Sequence, residues 1–511
     1  MVSLTIKLFL VLLTIPVHGT VCTTKGNGIK GVVVSDGYTC TVTDCHGRYS
    51  LEADSLARTI SVTVPSEYEI PLSTDGRPGF YKLIDSGNTD FTLEPRRNKS
   101  EKFTLVAIAD PHIKDDHSLK RFASESIPDI RRTMAAHEGN GPVIGISLGD
   151  QLSDVMDRTD DVKNLLPGFL YCIGNHDHNN AGGKNEYAVT DHFVRNFAPR
   201  DYSFDLGKVH FVVMDDIQYT GTQRDGVKIS YTVGFDDDQM EWLRQDLSLV
   251  RNRKHKAVVL CIHAPLFGRF THKDDVRELL GQFAEAHVIS GHEHNINNVW
   301  HGNIWEHNIQ SIAGAWWFSN LSPNGSPLGY LVLSFDGESL ASEYNKATTE
   351  SADFQMRVYS GDDSYGPDTF NPAGEGIKRR DKIYSWPEHL KSCFVVRIWD
   401  GTRDWDVKFV QNGVETQMAM TEVKFFDCAT AAYMTDVHGA PFGGSGAYRP
   451  AVDSFWTIPA PCGNPALEEG WEIVATHKEP SGEVRTYRCS HLMRDYRGFA
   501  AGSVYCHQLM P

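Results

Sequence analysis

Phe169-Leu170-Tyr171-Cys172-Ile173-Gly174-Asn175-His176-Asp177 is an apolar run that ends abruptly on small and polar residues. Four other places repeat that arrangement. Asp110-Pro111-His112 follows Phe103 to Ala109, and Gly149-Asp150 follows Val143 to Ser147. His263-Ala264-Pro265 follows Ala257 to Ile262, and Gly291-His292-Glu293-His294 follows Val288 to Ser290. Continuous apolar runs like these, with Val209 to Met214, are expected of strands covered on both faces. Between them lie stretches with helical spacing, Leu119 to His137 and Asp238 to Val250, the second with Met240, Leu243, Leu247 and Val250 on one side. Alternating strand and helix predicts a layered α/β domain over about residues 100 to 340. In such folds the loops at the carboxyl ends of the strands converge, so the marks predict a single site.

That site would offer Asp110, His112, Asp150, Asn175, His263, His292 and His294. Carboxylate, amide and imidazole donors together suit Mn, Fe or Zn rather than Ca or Mg. The set exceeds one tetrahedral shell but serves two ions if one carboxylate bridges them, and ions about 3.5–4 Å apart can clamp a phosphoryl group for in-line attack. Two divalent ions, two carboxylates and a hydroxide leave the site near +1 on a chain whose net charge is −17, so a phosphate ester is attracted locally.

The set Asp110-x-His112, Gly149-Asp150, Gly174-Asn175-His176-Asp177, His263-x-Pro265 and Gly291-His292-x-His294 resembles the signature of the calcineurin-like metallophosphoesterase superfamily in order, spacing and context. The resemblance implies a central four-layer α/β/β/α sandwich. It also implies two metal ions, one held by Asp110, His112 and His294 and one by Asn175, His263 and His292, with Asp150 bridging and a hydroxide between the ions attacking phosphorus. His176 would then meet the phosphate as general acid. Some members carry an acid three residues after the bridging Asp to orient this histidine. Here that position is Ser153, followed by Asp154, which leaves Asp154 and Asp177 as alternative partners of His176. Ser153 also stands where purple acid phosphatases place an iron-binding Tyr, so no tyrosinate colour is expected.

The flanks read differently. Met1 to Lys7, the apolar run Leu8 to Val17 and Gly19 fit a secretory leader over residues 1–19, which implies an exported, periplasmic or cell-surface protein. Cys22 is an alternative lipid-anchor position and the one route to a membrane. Residues 20–96 carry short β-branched runs with Asp-Gly and Gly turns, as in a self-contained antiparallel sandwich, and Gly31 to Leu51 resembles transthyretin-like β-domains. Cys40 and Cys45 bracket a turn where a disulfide could form. The polar segment Glu94 to Ser100 separates this block from a catalytic domain at 97–345, and residues 346–511 turn β-rich again, with a hairpin expected from Trp471 to His477 and Gly482 to Cys489. Flanking β-domains of this sort also resemble those of secreted bacterial members.

With 49 basic against 66 acidic residues, nonspecific binding to nucleic acid is disfavoured. The expected substrate is a small-molecule or lipid phosphoester, diester ahead of monoester. The competing class is a non-catalytic cell-surface glycan binder whose central domain is a scaffold. Ala313 to Asn320 brings Trp316 and Trp317 near the last ligand pair, either to stack on substrate or to fill core. His178-Asn179-Asn180 reads as an exposed loop or as a contact to substrate oxygens, and Tyr219 to Gly226 as a polar loop.

Overall fold

In the computed structural model, described residues are 14–179, 185–224, 228–322, 324–366, 369, 383–421, 427–434, 455–494 and 499, with backbone alone at 221–224 and 228–230. Two sheets form the centre. The first runs Leu170–Cys172, Val143–Leu148, Lys102–Ile108, Gly329–Asp336, Ser339–Ala347 in spatial order, and its first three strands are parallel. The second runs Tyr202–Leu206, Val209–Val213, Ala257–Cys261, Glu285–Ser290, Ile304–Asn308, Asn297–His301, parallel through its middle. Every apolar run of the central domain therefore became a strand.

The sheets meet through aromatic rings. Phe103 stacks on Phe335 at 5.0 Å within the first sheet and meets Phe211 of the second edge-on at 5.8 Å, while Phe204 stacks on Phe211 at 4.6 Å. Helices cover the outer faces. Ile127 and Ile130 of the helix Ile127–His137 join the core of the first sheet. Met240, Leu243 and Leu247 of Asp237–Leu249 and Val276 and Leu280 of Lys273–Leu280 pack on Val258, Leu260 and Val288 of the second. The result is the α/β/β/α order implied by the resemblance. The helix Asp237–Leu249 starts at Asp236, whose carboxylate accepts from the Gln239 backbone while the Gln239 side chain accepts from the Asp236 N–H, so two otherwise orphaned donors are paired.

The N-terminal β-domain differs from its expected limits. Its first strand is Thr14–Thr23, which pairs with Arg48–Asp54 from Thr14 opposite Asp54 to Thr20 opposite Arg48. Val17 and Val21 of that strand are buried in the core. Residues 14–19, assigned to the leader from the sequence, are part of this strand. Cys22 lies in the same strand with its thiol donating to the Phe91 carbonyl at 3.6 Å, and a lipid-bearing N-terminus at Cys22 would strip Arg48–Asp54 of its partner. Nor is the domain self-contained. Val34, Ile60, Val62 and Phe80 share one apolar cluster with the first sheet, and the Trp242 indole donates to Ser35 Oγ at 2.7 Å. Cys40 and Cys45 are free thiols, so the turn between them carries no disulfide.

Two further limits move. The strand Ser339–Ala347 runs past residue 345 because Ala347 still pairs with Gly329. Tyr219 to Arg224, read as part of a polar loop, belongs to the strand Ile217–Arg224, paired with Lys228–Val233, while the rest of that loop reading lies outside the described residues. The C-terminal domain is β-rich as expected. Trp471–Lys478 and Val484–Cys489 form the hairpin, joined by Asp406–Gln411 and Val414–Gln417 in a four-stranded sheet. Gly443 to Gly446 and much of Ser360 to Gly376 lie outside the described residues. Among the described residues no helix is long and apolar enough to cross a membrane.

Candidate metal centre

All five marks sit directly beyond the carboxyl ends of their strands, three on the first sheet and two on the second. Turning the chain there places Asp110, His112, Asp150, His292 and His294 at positive φ, between 46° and 66°. Each such residue costs on the order of 1–3 kcal/mol unless its surroundings hold it. They are held: the His292 N–H donates to both Asp110 oxygens at 3.1 and 3.2 Å, and the His176 N–H donates to Asp150 Oδ1 at 2.8 Å. Two of the glycines are required by space. A Cβ on Gly174 would sit 2.2 Å from Asp150 Oδ1, and one on Gly291 2.6 Å from Asp110 Oδ2.

The convergence is of acceptors. His263 Nδ1 lies 2.8 Å from the Leu148 carbonyl, which can only accept, so the ring proton is on Nδ1 and Nε2 carries a lone pair. Around that Nε2 stand Asn175 Oδ1 at 3.1 Å, Asp150 Oδ2 at 3.4 Å and His292 Nδ1 at 3.1 Å. His294 repeats the pattern: its Nδ1 is 3.2 Å from the Gly314 carbonyl, and its Nε2 faces His112 Nε2 at 3.0 Å and Asp110 Oδ1 at 3.5 Å. His112 Nε2 is 3.7 Å from Asp150 Oδ2, placing that carboxylate between the two clusters. Buried lone pairs facing one another repel, and a cation at each cluster removes the conflict. Asp110, His112 and His294 form one grouping able to hold an ion, and Asp150, His263 and His292 another; His176 also groups with His112 and Asp150.

The protonation pattern agrees. Burial opposes a charge on His263, yet the Asp150 carboxylate pushes it up to about 10, so the pocket takes a proton where no metal ion supplies the positive charge. Burial, reinforced by His263, drives His292 down to about 4, the neutral form that ligates. Burial would raise Asp150, but His263 and His176 hold it well below the usual carboxylate range.

His176 is the exception in its environment, with about a quarter of its side chain exposed. Its Nδ1 lies 2.8 Å from Asp154 Oδ2. Against the burial that would lower it, Asp150 and the Asp154 hydrogen bond push His176 up to about 9. Asp177, proposed beside it as a catalytic residue, does not orient the ring. Its Oδ1 accepts from the Leu152 N–H and its Oδ2 from the Gly174 N–H, both at 3.0 Å, so the carboxylate is used up in building the turn.

Three family models cover most of the chain in order: N terminal of Calcineurin-like phosphoesterase over residues 15–96, Calcineurin-like phosphoesterase over 103–295, and C terminal of Calcineurin-like phosphoesterase over 306–442. The chain belongs to the calcineurin-like phosphoesterases. It is accordingly a metal-dependent phosphoesterase, and the reading as a non-catalytic scaffold is set aside. No curated protein matches it. Solved structures similar to this calcineurin-like phosphoesterase include purple acid phosphatase PPD1 from yellow lupin, at 12% identity over 62% of this chain and 67% of that one, TM-score 0.32 being the value for the next and 0.33 for this. That next structure is GAP50, the anchor in the inner membrane complex of Plasmodium, at 12% identity over 48% of this chain and 84% of the other. NAD nucleotidase of Haemophilus influenzae shows 9% identity over 48% and 50%, TM-score 0.30. Likenesses this distant say nothing of substrate.

Around the phosphoesterase site the tryptophans divide. Trp317 is core, its indole donating to the Pro111 carbonyl at 2.7 Å. Trp316, at φ 54°, stacks on the His112 ring at 4.0 Å and meets His176 edge-on at 5.2 Å. Tyr231 stands edge-on to His292 at 6.2 Å. Sequence reasoning missed Tyr231, whose hairpin was read in part as loop, and Asp216, which accepts from the His263 and Ala264 N–H groups at 3.0 and 2.9 Å. His178 is buried, neither on an exposed loop nor open to substrate.

Proposed function

We propose that the chain hydrolyses phosphate esters at two divalent ions, one held by Asp110, His112 and His294 and the other by Asn175, His263 and His292, with Asp150 shared. The observation that carries this is the convergence on His263 Nε2 of Asn175 Oδ1 at 3.1 Å, Asp150 Oδ2 at 3.4 Å and His292 Nδ1 at 3.1 Å, a set of ligand atoms gathered at one point. When bound, ions of the Mn, Fe or Zn type would activate a water and draw charge from the phosphoryl oxygens. The residues do the rest. Asp110 and Asp150 fix the two histidine loops through the His292 and His176 backbone N–H groups. His176, oriented by Asp154, holds a proton at Nε2 for the leaving oxygen. Trp316 forms a flat wall beside it for the organic part of the substrate.

A phosphodiester is the preferred substrate, a monoester second, from a small molecule or lipid. The groups acting most strongly on Asp150 are the imidazoles of His263, His176 and His112, which supports a substrate of modest charge. Protein stripped of metal and reloaded with Mn should cleave bis(p-nitrophenyl) phosphate faster than p-nitrophenyl phosphate, and Asp150→Ala and His292→Ala should abolish both. No turnover with Mn, Fe or Zn would sink the assignment.

A further inference from the structure

Two residues past His176 the chain turns inward at His178, which is 1% exposed. Its Nε2 is buried with no hydrogen-bond partner. Leaving a buried imidazole nitrogen unpaired is costly, so its surroundings should show what it is for. It faces two carboxylates: Glu186, at the start of the helix Glu186–Asn196, and Asp215, just past the strand Val209–Val213. One donor atom from each of the three lies within 4.8 Å of the others, and Glu186 Oε1 is also buried without a hydrogen bond.

Charge is unbalanced there. Arg200 is the guanidinium at the cluster, its Nε 2.9 Å from Asp215 Oδ2 and its Nη2 3.4 Å from Glu186 Oε1. Asp201 acts on the same guanidinium, with its own Oδ1 occupied by the Gln239 side chain and the Asp215 N–H. Glu186 and Asp215 share that one guanidinium. Burial, with Asp215 adding to it, pushes Glu186 up to about 7 despite Arg200. One divalent cation offsets the excess, and each carboxylate oxygen keeps a lone pair beyond the one it gives to Arg200. One imidazole and two carboxylates form a donor set suited to Zn or Mn.

We propose that His178, Glu186 and Asp215 bind a third divalent cation, separate from the dinuclear centre, that ties the segment carrying Asn175 and His176 to the neighbouring helix and to the second sheet. None of the three residues belongs to the dinuclear ligand set, so the site stands or falls independently of it.

The test counts ions. Full-length protein is stripped with chelator, reloaded with Mn or Zn, desalted, and its metal measured by mass spectrometry. Wild type should hold three ions per chain, and His178→Gln and Glu186→Gln two, with turnover of bis(p-nitrophenyl) phosphate retained. Asp150→Ala, in which the dinuclear pair is disrupted, should still hold an ion that the added Glu186→Gln removes. Two ions in wild type, or an Asp150→Ala chain whose metal is indifferent to Glu186→Gln, overturns the proposal even if the single variants fold poorly.

Discussion

The metal centre and the His210 cluster are both buried groupings of histidine and aspartate in the same domain, and they do opposite things. His210, 2% exposed, offers Nδ1 to Asp205 Oδ1 and Nε2 to Asp246 Oδ2, each at 2.8 Å. Two ring N–H groups meet two carboxylates, so every proton has its acceptor and the cluster is complete. His263 and His294 instead set Nδ1 against a backbone carbonyl, leaving Nε2 with a lone pair aimed at other acceptors. His210 is matched one-to-one with carboxylates and forms a closed ion cluster, whereas His263 presents one nitrogen to several ligand atoms at once, the arrangement of a metal site.

Breaking the metal side should give the largest effect. Asp150→Ala removes the shared carboxylate and should lower kcat/KM by roughly 10³-fold, the several kcal/mol that ion polarisation contributes. The folded state should survive, since the change also removes a buried charge; metal content and thermal melting together check this. His176→Ala should retain both ions and lose about 10²–10⁴-fold in kcat. Loss of an ion in that variant, measured directly, would move His176 into the ligand set through its grouping with His112 and Asp150.

On the structural side, His210→Gln should cost about 3 kcal/mol of stability because it removes the cation from the buried Asp246 and the half-buried Asp205, with turnover per folded molecule unchanged. The sign of its pH dependence follows from the shift. Burial lowers His210, but Asp246 and Asp205 overcome it and push it up to about 10. A folded value above the unfolded one of about 6.5 means that this stability is fully present below pH ~6.5 and is lost as pH rises through about 10. Urea denaturation at pH 6 and pH 10 should show a drop in wild type that His210→Gln flattens. The smallest effect sharpens the contrast between two aspartates. Asp154→Asn should reduce kcat by about 10-fold with little loss of stability, whereas Asp177→Asn should destabilise by about 1–2 kcal/mol through its turn hydrogen bonds.

Much of the centre was legible because glycines, histidines and carboxylates at strand ends have few structural reasons to recur in that order. The partner of His176 was not. Asp177 is adjacent to His176 and Asp154 lies 22 residues before it, yet only the folded turn shows that Asp177 accepts from two backbone N–H groups while Asp154 meets the ring. The first strand was hidden for a related reason: an apolar run such as Leu8 to Val17 suits a leader or a strand, and the pairing of Thr14–Thr20 with Arg48–Asp54 exists only in the folded chain. Trp316 and Trp317 are adjacent and chemically identical, yet one faces the site and the other the core.

The sequence by itself determined a layered α/β core and the seven candidate donors at its strand ends, because burial on both faces forces continuous apolar strands and their ends must carry the polar groups, while the α/β/β/α order came from the family resemblance. Tertiary structure alone decided which nitrogen of each imidazole is free, which aspartate orients His176, and that His178 joins Glu186 and Asp215. Those depend on hydrogen-bond directions between segments far apart in the chain, and a linear order of residues does not encode direction.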